Sequence, residues 1–381
     1  MTLTALIGPD IFDGEVTHHA AALLLREGRV VGVIEQAAIP KGVRVEALGD
    51  GLLAPGLVDL QVNGGGGVLL NDDPTVGAMA HIAAAHARLG TTAILPTLIT
   101  DTPAHSAAAI AAAAEALSRQ VPGVAGLHLE GPHLSVPRKG AHDAALIRPM
   151  TEADLAALVA AAAQIPALLM TLAVESATPA QIARLSQAGV LVSLGHTEAA
   201  YDQVKAAVQA GARSATHLFN AMSGLGNREP GLVGAVLDLG GLSAGMIADG
   251  FHVHPAAMRA ALRAKRGPGQ IYLVSDAMAT IGSDLTGFTL NGRQVYRRGG
   301  RLTLADGTLA GADIDLLSAV RYCVTHLEMT REQALARASR IPARLAGLSD
   351  RGHFNDGARA DILHLAEDLS LCTVWQGGKR L

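Results

Sequence analysis

The chain has 381 residues, 49% of them hydrophobic and 17% charged, which excludes a disordered polymer and allows either a few domains or one large barrel with an accessory piece. Only 3% are aromatic, so the core is built mainly of Ala, Val, Leu and Ile. A formal charge of -4 with no long basic block leaves no electrostatic footprint for nucleic acid or an anionic membrane, while a small anionic substrate stays open.

Residues 1–15 lack a basic region followed by an apolar stretch and a small-residue cleavage site, so no signal peptide is expected. Cys323 and Cys372 follow no disulfide or Cys-x-x-Cys pattern, so no oxidising compartment is implied and the cytoplasm is the expected address. Residues 23–34 read as two strands around a Glu27-Gly28-Arg29 turn, the start of a small β unit. From Leu57 onward, short apolar runs alternate with Ala-rich stretches of helical length. Strands are expected at 57–62, 92–98, 124–129, 167–173, 190–194, 214–218, 242–248 and 271–275. Helices are expected at 76–89, 103–119, 178–188, 198–210 and 255–265. Residues 155–174 carry no charge and approach the length of a bilayer span, but Gln164 and Pro166 divide them and Thr151 with Asp154 forms a capping-box start. A helix followed by a buried strand is expected there instead.

Alternating strands and helices imply a parallel sheet with right-handed crossovers, and eight units fit a closed (β/α)8 TIM-like barrel. An open doubly wound sheet shares that periodicity. The polar residues favour closure. Gln61, Asn63, Glu130, His196, His217, Asp249, His252 and Asp276 all fall at C-terminal strand ends, which only a barrel brings to one mouth. Residues 286–304, with Asn291-Gly292 and Gly299-Gly300 turns, read as a hairpin inserted after the eighth strand. The last thirty or so residues return to strand-like alternation and are paired with the N-terminal unit. The expected organisation is therefore a small β-sandwich from residues 1–53 and 351–381, and a catalytic barrel from 54–350.

Glu130, His196 and His217 offer one carboxylate and two imidazoles, a set suited to Zn(II) or Fe(II) with a position left for water. Any one of the 15 histidines taken alone is structural by default; their equivalent barrel positions argue for a ligand set. Asp276 could take a proton from water and return it to a leaving amine, or could cap a helix. Arg228 could offer a planar fork to a phosphate, with His252 beside it, or pair with Glu229 at the surface. His142, in the Arg138-Lys139-Gly140-Ala141-His142 loop, could polarise a carbonyl. The run Gly64 to Gly67 lacks the spacing of a nucleotide loop and reads as close backbone approach near the mouth.

These residues resemble the N-acetylglucosamine-6-phosphate deacetylases of the amidohydrolase superfamily. The likeness runs through Ala54-Pro55-Gly56-Leu57-Val58-Asp59, Leu129-Glu130-Gly131-Pro132, Lys139-Gly140-Ala141-His142, Leu194-Gly195-His196-Thr197 and Thr216-His217-Leu218-Phe219-Asn220-Ala221-Met222. It continues through Arg228-Glu229-Pro230-Gly231, Asp249-Gly250-Phe251-His252, Ser275-Asp276-Ala277-Met278 and Thr308-Leu309-Ala310-Gly311. The resemblance implies hydrolysis of N-acetyl-D-glucosamine 6-phosphate to D-glucosamine 6-phosphate and acetate by metal-activated water. It implies that Glu130, His196 and His217 hold the metal, that Asp276 is general base and acid, and that His142 polarises the acetamide carbonyl. Asn220, Ala221, Arg228, Asp249 and His252 would hold the sugar phosphate, with Ala141, Leu309, Ala310 and Gly311 against the sugar, in a homodimer.

Three positions depart from that family. Gln61-Val62-Asn63 replaces a His-x-His pair, so a second metal site is vestigial and one tight metal per subunit is expected. His133 follows Glu-Gly-Pro where Phe is usual and is read as a wall of the cleft. Ala312-Asp313 follows Gly311 where Ser is usual, which touches only the sugar contacts. Two other readings share these residues: a different amidohydrolase such as an N-acyl-D-amino-acid deacylase, and a non-catalytic sugar-phosphate sensor.

Overall fold

The computed structural model describes residues 3–381. Of the leader reading made on residues 1–15, the first two lie outside the described residues; the remainder holds the strands Thr4–Ile7 and Asp10–Phe12. Eight parallel strands form one sheet: β1 (Leu57–Val62), β2 (Thr91–Ile99), β3 (Leu127–Glu130), β4 (Leu168–Leu172), β5 (Leu191–Leu194), β6 (Ser214–Ala215), β7 (Ser243–Met246) and β8 (Ile271–Leu273). Every strand pairs with its successor, as in Leu127↔Leu168 and Glu130↔Thr171, and β8 returns beside β1 through the bridge Val62↔Ala277. The sheet is thus a nearly closed barrel, and an open sheet is excluded.

Period-two burial explains how the strands serve two cores at once. On β2 and β4, Ile94, Leu98, Leu168, Met170 and Leu172 face the helices, while Ala93, Leu95 and Leu169 fill the barrel interior with Val58, Leu60, Ile247, Tyr272 and Val274. The surrounding helices are α1 (Val76–Ala87), α2 (Pro103–Ser118), α3 (Glu152–Ala162), α4 (Pro179–Gln187), α5 (Tyr201–Gln209), α6 (Gly231–Asp238), α7 (Pro255–Ala264) and α8 (Leu316–His326). Their starts carry side-chain caps that satisfy otherwise orphaned N–H groups, from Thr75, Thr102, Thr151, Thr178 and Asp315 among others. The charge-free stretch is α3 followed by β4, and no helix of the described residues is long and apolar enough to cross a membrane.

Two further sheets come from the chain ends. Thr4–Ile7, Ala21–Arg26, Arg29–Glu35 and Arg44–Ala47 form a four-stranded sheet. Ile362–Leu365 inserts between Leu52–Pro55 and Leu371–Gln376 in a six-stranded one, so the C-terminal strands do pair with N-terminal ones. Leu6, Leu23 and Leu25 of the first sheet share one apolar core with Leu53, Ile362 and Trp375 of the second. The segment after β8 is larger than the expected hairpin. Gly287–Leu290, Arg293–Arg298, Arg301–Thr303 and Leu309–Ala312 make a four-stranded antiparallel sheet over its own core of Leu290, Val295, Leu302 and Ala310. The extra strand follows the turn at Gly307 and carries Leu309 to the barrel mouth.

Candidate active site

The strands β6 and β8 stop sooner than their apolar runs suggest, while β5 ends at Leu194 as expected; at each of the three ends a polar residue turns out of extended backbone. His196, His217 and Asp276 have φ of +48°, +32° and +52°, a left-handed region costly for residues with a Cβ. Strain of this kind persists only where the surroundings over-determine it, and here it aims three polar side chains into the mouth. Gly195 lets the chain approach closely, since a Cβ there would stand 2.9 Å from Thr216 Cβ. Gly64 plays the same part after β1, where a Cβ would meet the Val68 carbonyl oxygen at 2.4 Å.

Glu130 Oε1 stands 3.2 Å from His196 Nε2 and 3.1 Å from His217 Nε2, and the two imidazole nitrogens are 3.0 Å apart. Donors sharing one tetrahedral ion at bonds of about 2.0–2.2 Å are separated by roughly 3.3–3.6 Å, so this triangle needs to open by only a few tenths of an ångström to hold a single divalent cation. A looser group, Glu130, His142 and His196, also presents ligand atoms within 4.8 Å of one another. The tighter triangle is the better cage, because His142 Nδ1 is already engaged by Thr100. His196 is oriented from behind, its Nδ1 donating to the Arg138 carbonyl at 2.7 Å and leaving the Nε2 lone pair free. His217 Nδ1 is buried without a partner.

His142 Nδ1 lies 2.8 Å from Thr100 Oγ1 and 3.3 Å from Thr100 N; the backbone N–H can only donate, so Nδ1 is assigned as the acceptor and the ring hydrogen to Nε2. Burial, aided by the nearby His196, pushes His142 down to about 3, so the ring is neutral at pH 7. Burial alone would raise Glu130, but the His196 and His217 imidazoles against it hold it well below the usual carboxylate range. Burial acts against protonation of His217 too, yet the Glu130 carboxylate keeps it above its ordinary value. Asp276 goes the other way. Burial and the charge of Glu130 push it up to about 6, against the pull of His217, His252 and Asn63.

The residues at the His-x-His position make no second cage. Gln61 Nε2 donates to Glu130 Oε1 at 3.1 Å and to Asp276 Oδ1 at 3.2 Å, and Asn63 Nδ2 donates to the same Asp276 oxygen at 2.7 Å. Two amides therefore occupy Oδ1 of Asp276 and do not engage Oδ2. Asp249 does not line the cavity but accepts from His252 Nδ1 at 2.6 Å, which turns the other ring nitrogen outward.

A cavity of about 230 Å³ collects Asn63, Glu130, Ala141, His142, His196, His217, Asn220, Ala221, His252, Asp276, Leu309, Ala310 and Gly311. Arg228 is absent from it. That side chain sits on an exposed loop with Leu225 and lines a separate surface cleft with Tyr201 and Asp238. His133 is not a wall of the active cleft either; it lines an apolar cavity on the outer side of β3, between α2 and α3. Reasoning from residues alone overlooked Ile99, Ile247, Met278, Leu290 and Thr308 as lining groups and Thr100 as the partner of His142. Met278 and Thr308 belong to motifs already singled out, whereas nothing local marks Leu290 or Thr100.

Residues 52–381 match the amidohydrolase family model. The chain belongs to the amidohydrolase family. A Shewanella sp. (strain ANA-3) N-acetylgalactosamine-6-phosphate deacetylase is 43% identical over 334 residues, covering 88% of this chain and 84% of the relative. A Haemophilus influenzae N-acetylglucosamine-6-phosphate deacetylase is 34% identical, covering 90% and 89%. The crystal structure of the Pasteurella multocida N-acetylglucosamine-6-phosphate deacetylase superposes with a TM-score of 0.95 at 31% identity, over 100% of this chain and 99% of that one. A Mycobacterium smegmatis enzyme variant solved in complex with N-acetyl-D-glucosamine 6-phosphate gives 0.90 at 32% identity, covering 100% and 98%. Membership implies a divalent metal for this amidohydrolase, and the carboxylate and imidazole donors at its mouth fit one.

Proposed function

We propose that the chain hydrolyses the acetamide of N-acetyl-D-glucosamine 6-phosphate to D-glucosamine 6-phosphate and acetate in the cytoplasm. The observation that carries this reading is the convergence, in one cavity, of the Glu130, His196 and His217 triangle with a half-free carboxylate and a neutral imidazole donor. Glu130, His196 and His217 would hold one ion, Zn(II) in the first place and Fe(II) as the alternative. When bound, the ion lowers the pKa of water and polarises the amide carbonyl.

The chain's own groups do the rest. Asp276 Oδ2 accepts a proton from the attacking water as its oxygen bonds to the carbonyl carbon, and delivers it to the amine nitrogen as the C–N bond breaks. Its Oδ1 stays tied to Gln61 and Asn63, so one oxygen carries the proton both ways. His142 Nε2–H donates to the acetamide oxygen as negative charge develops there. Being neutral, it does so without repelling the cation. Asn220, Ala221 and His252 hold the phosphate, Asp249 aims His252, and Ala141 with residues 309–311 forms the wall against the sugar. Residues 54–350 serve as the catalytic unit, supported by the β unit of 1–53 and 351–381.

Arg228 sits on an exposed loop and does not line the cavity of its own chain. A phosphate role and a homodimer are reconciled if the loop crosses to the second copy, with exposed Leu225 covered in the contact. The decisive assay is acetate release by metal-loaded protein from N-acetylglucosamine 6-phosphate, beside the unphosphorylated sugar and an N-acetyl-D-amino acid. Release from the phosphorylated sugar alone is expected; release from the amino acid alone would overturn the substrate. The Shewanella relative favours one second reading, the galacto epimer, so N-acetylgalactosamine 6-phosphate belongs in the same assay.

A further inference from the structure

The motif that opens the first barrel strand ends on a carboxylate that the reaction above does not use. Asp59 is wholly buried at 0% exposure with no cation against it among the described residues, and burial pushes its carboxyl up to about 7 against the pull of its hydrogen bonds to Ser275 and Gln61. A carboxylate withdrawn from water without an opposite charge is costly and persists only where hydrogen bonds compensate. Its partners are backbone amides from both sides of the barrel. Oδ1 accepts from Gln61 N at 3.1 Å and from Ser275 N at 3.3 Å, and Oδ2 accepts from Ser275 N at 3.1 Å.

Those amides lie where the barrel is weakest. Strands β1 and β8 are the two ends of the eight-stranded sheet, and no regular ladder joins them. The seam is crossed by the Val62↔Ala277 bridge and by Asp276 N donating to the Gln61 carbonyl at 3.0 Å. Asp59 adds the side-chain clamp just beneath. Both residues it grips lead directly to the proton carrier: the Gln61 side chain donates to Asp276 Oδ1, and Ser275 is its chain neighbour.

We propose that Asp59 is a positioning residue, which clamps Gln61 to Ser275 across the seam and thereby holds Asp276 with Oδ1 engaged and Oδ2 facing the substrate. It touches no reacting atom. The inference rests on the reading of Asp276 as proton carrier, and the two can be tested apart. Asp59→Ala, Asp59→Asn, Asp276→Asn and the Asp59→Ala/Asp276→Asn double variant are compared as full-length, metal-loaded chains on N-acetylglucosamine 6-phosphate, with metal content and thermal melts measured in parallel.

Asp59→Ala should lower kcat on the order of 50-fold with KM within about twofold and metal stoichiometry unchanged, the pattern of a lost transition-state geometry. Asp59→Asn keeps one acceptor oxygen and should lose roughly fivefold. In the Asp276→Asn background, removing Asp59 should cost less than about twofold more, because residues acting through one another are not additive. A purely structural clamp would lower the melting temperature and leave kcat per metal-loaded chain untouched. Wild-type kcat in folded Asp59→Ala, or losses that multiply in the double variant, would overturn the proposal. If Asp59→Ala does not fold, Asp59→Asn decides alone, and wild-type kcat there overturns it. Wild-type rates in Asp276→Asn would instead sink the role of Asp276.

Discussion

Below the level of Glu130 the barrel interior is filled by apolar residues such as Val58, Leu60, Leu95, Leu169 and Val274. A few positions further along, the chain carries two buried carboxylates, three close imidazoles and left-handed non-glycine residues that include His196, His217 and Asp276. Between these levels runs a layer of hydroxyls: His128 Nε2 meets Thr171 Oγ1 at 2.8 Å, and Thr216 Oγ1 meets both Thr171 and Ser193 at 2.7 Å. The lower half stabilises; the upper half is strained and desolvated, and depends on the lower for its rigidity. The contrast teaches that the mouth can hold unfavourable geometry because the strands beneath it leave no slack.

Mutations should therefore separate into two kinds. Asp276→Asn keeps the shape of the mouth and removes the proton acceptor, so kcat should fall roughly 10³-fold with the melting temperature close to wild type. In the wild type the same group is protonated as pH falls through about 6, so turnover should decline on the acid side, and a bound cation would move that decline lower still. A pH–rate profile checks the sign, since a rate that rises below pH 6 would contradict it. Leu60→Ala should do the reverse. Leu60 is 1% exposed in the interior cluster, and its truncation should cost about 3 kcal/mol by chemical denaturation while kcat per folded molecule is retained.

Arg228 lies in neither half, and its expected effect is smaller. Arg228→Ala should raise KM about tenfold without lowering kcat much, through a lost charge-assisted contact to phosphate. Mixing Arg228→Ala with Asp276→Asn subunits sharpens the comparison. If the arginine serves the partner's cavity, hybrid dimers regain one complete site, and about a quarter of sites should show wild-type KM. No recovery on mixing would confine Arg228 to its own chain.

Much of this was legible in the residues, for physical reasons. Period-two apolar runs and strong helix caps placed the barrel strands within a few residues, and polar groups at strand ends announced the mouth. The shortness of β6 was not legible, because the expected run to Leu218 is broken by the left-handed backbone of His217, which tertiary packing imposes. Nor was the support of His196, since its partner is the Arg138 carbonyl, and a backbone acceptor has no side-chain signature. The direction of the Arg228 loop is a third case: composition marks a turn but says nothing of which side it faces.

The smallest effect belongs to the outer ring, where neither strain nor chemistry is at stake. Thr151 caps α3, its hydroxyl accepting from Asp154 N at 3.2 Å, while the Asp154 carboxylate accepts from Thr151 N at 2.9 Å and from the Arg148 fork. The Arg148 pair and the Thr151 bonds hold Asp154 well below the usual carboxylate range, and because the pair is part-buried with a third of the Arg148 side chain still in water, solvent screening keeps its contribution small beside the cap itself. Thr151→Ala should lower stability by about 1 kcal/mol and leave kcat and KM unchanged. Because α3 packs outside β4 and that strand neighbours β3, which carries Glu130, a change in kcat at constant metal content would show that strain does pass from the helical ring to the mouth, and the division between the two halves would have to be redrawn.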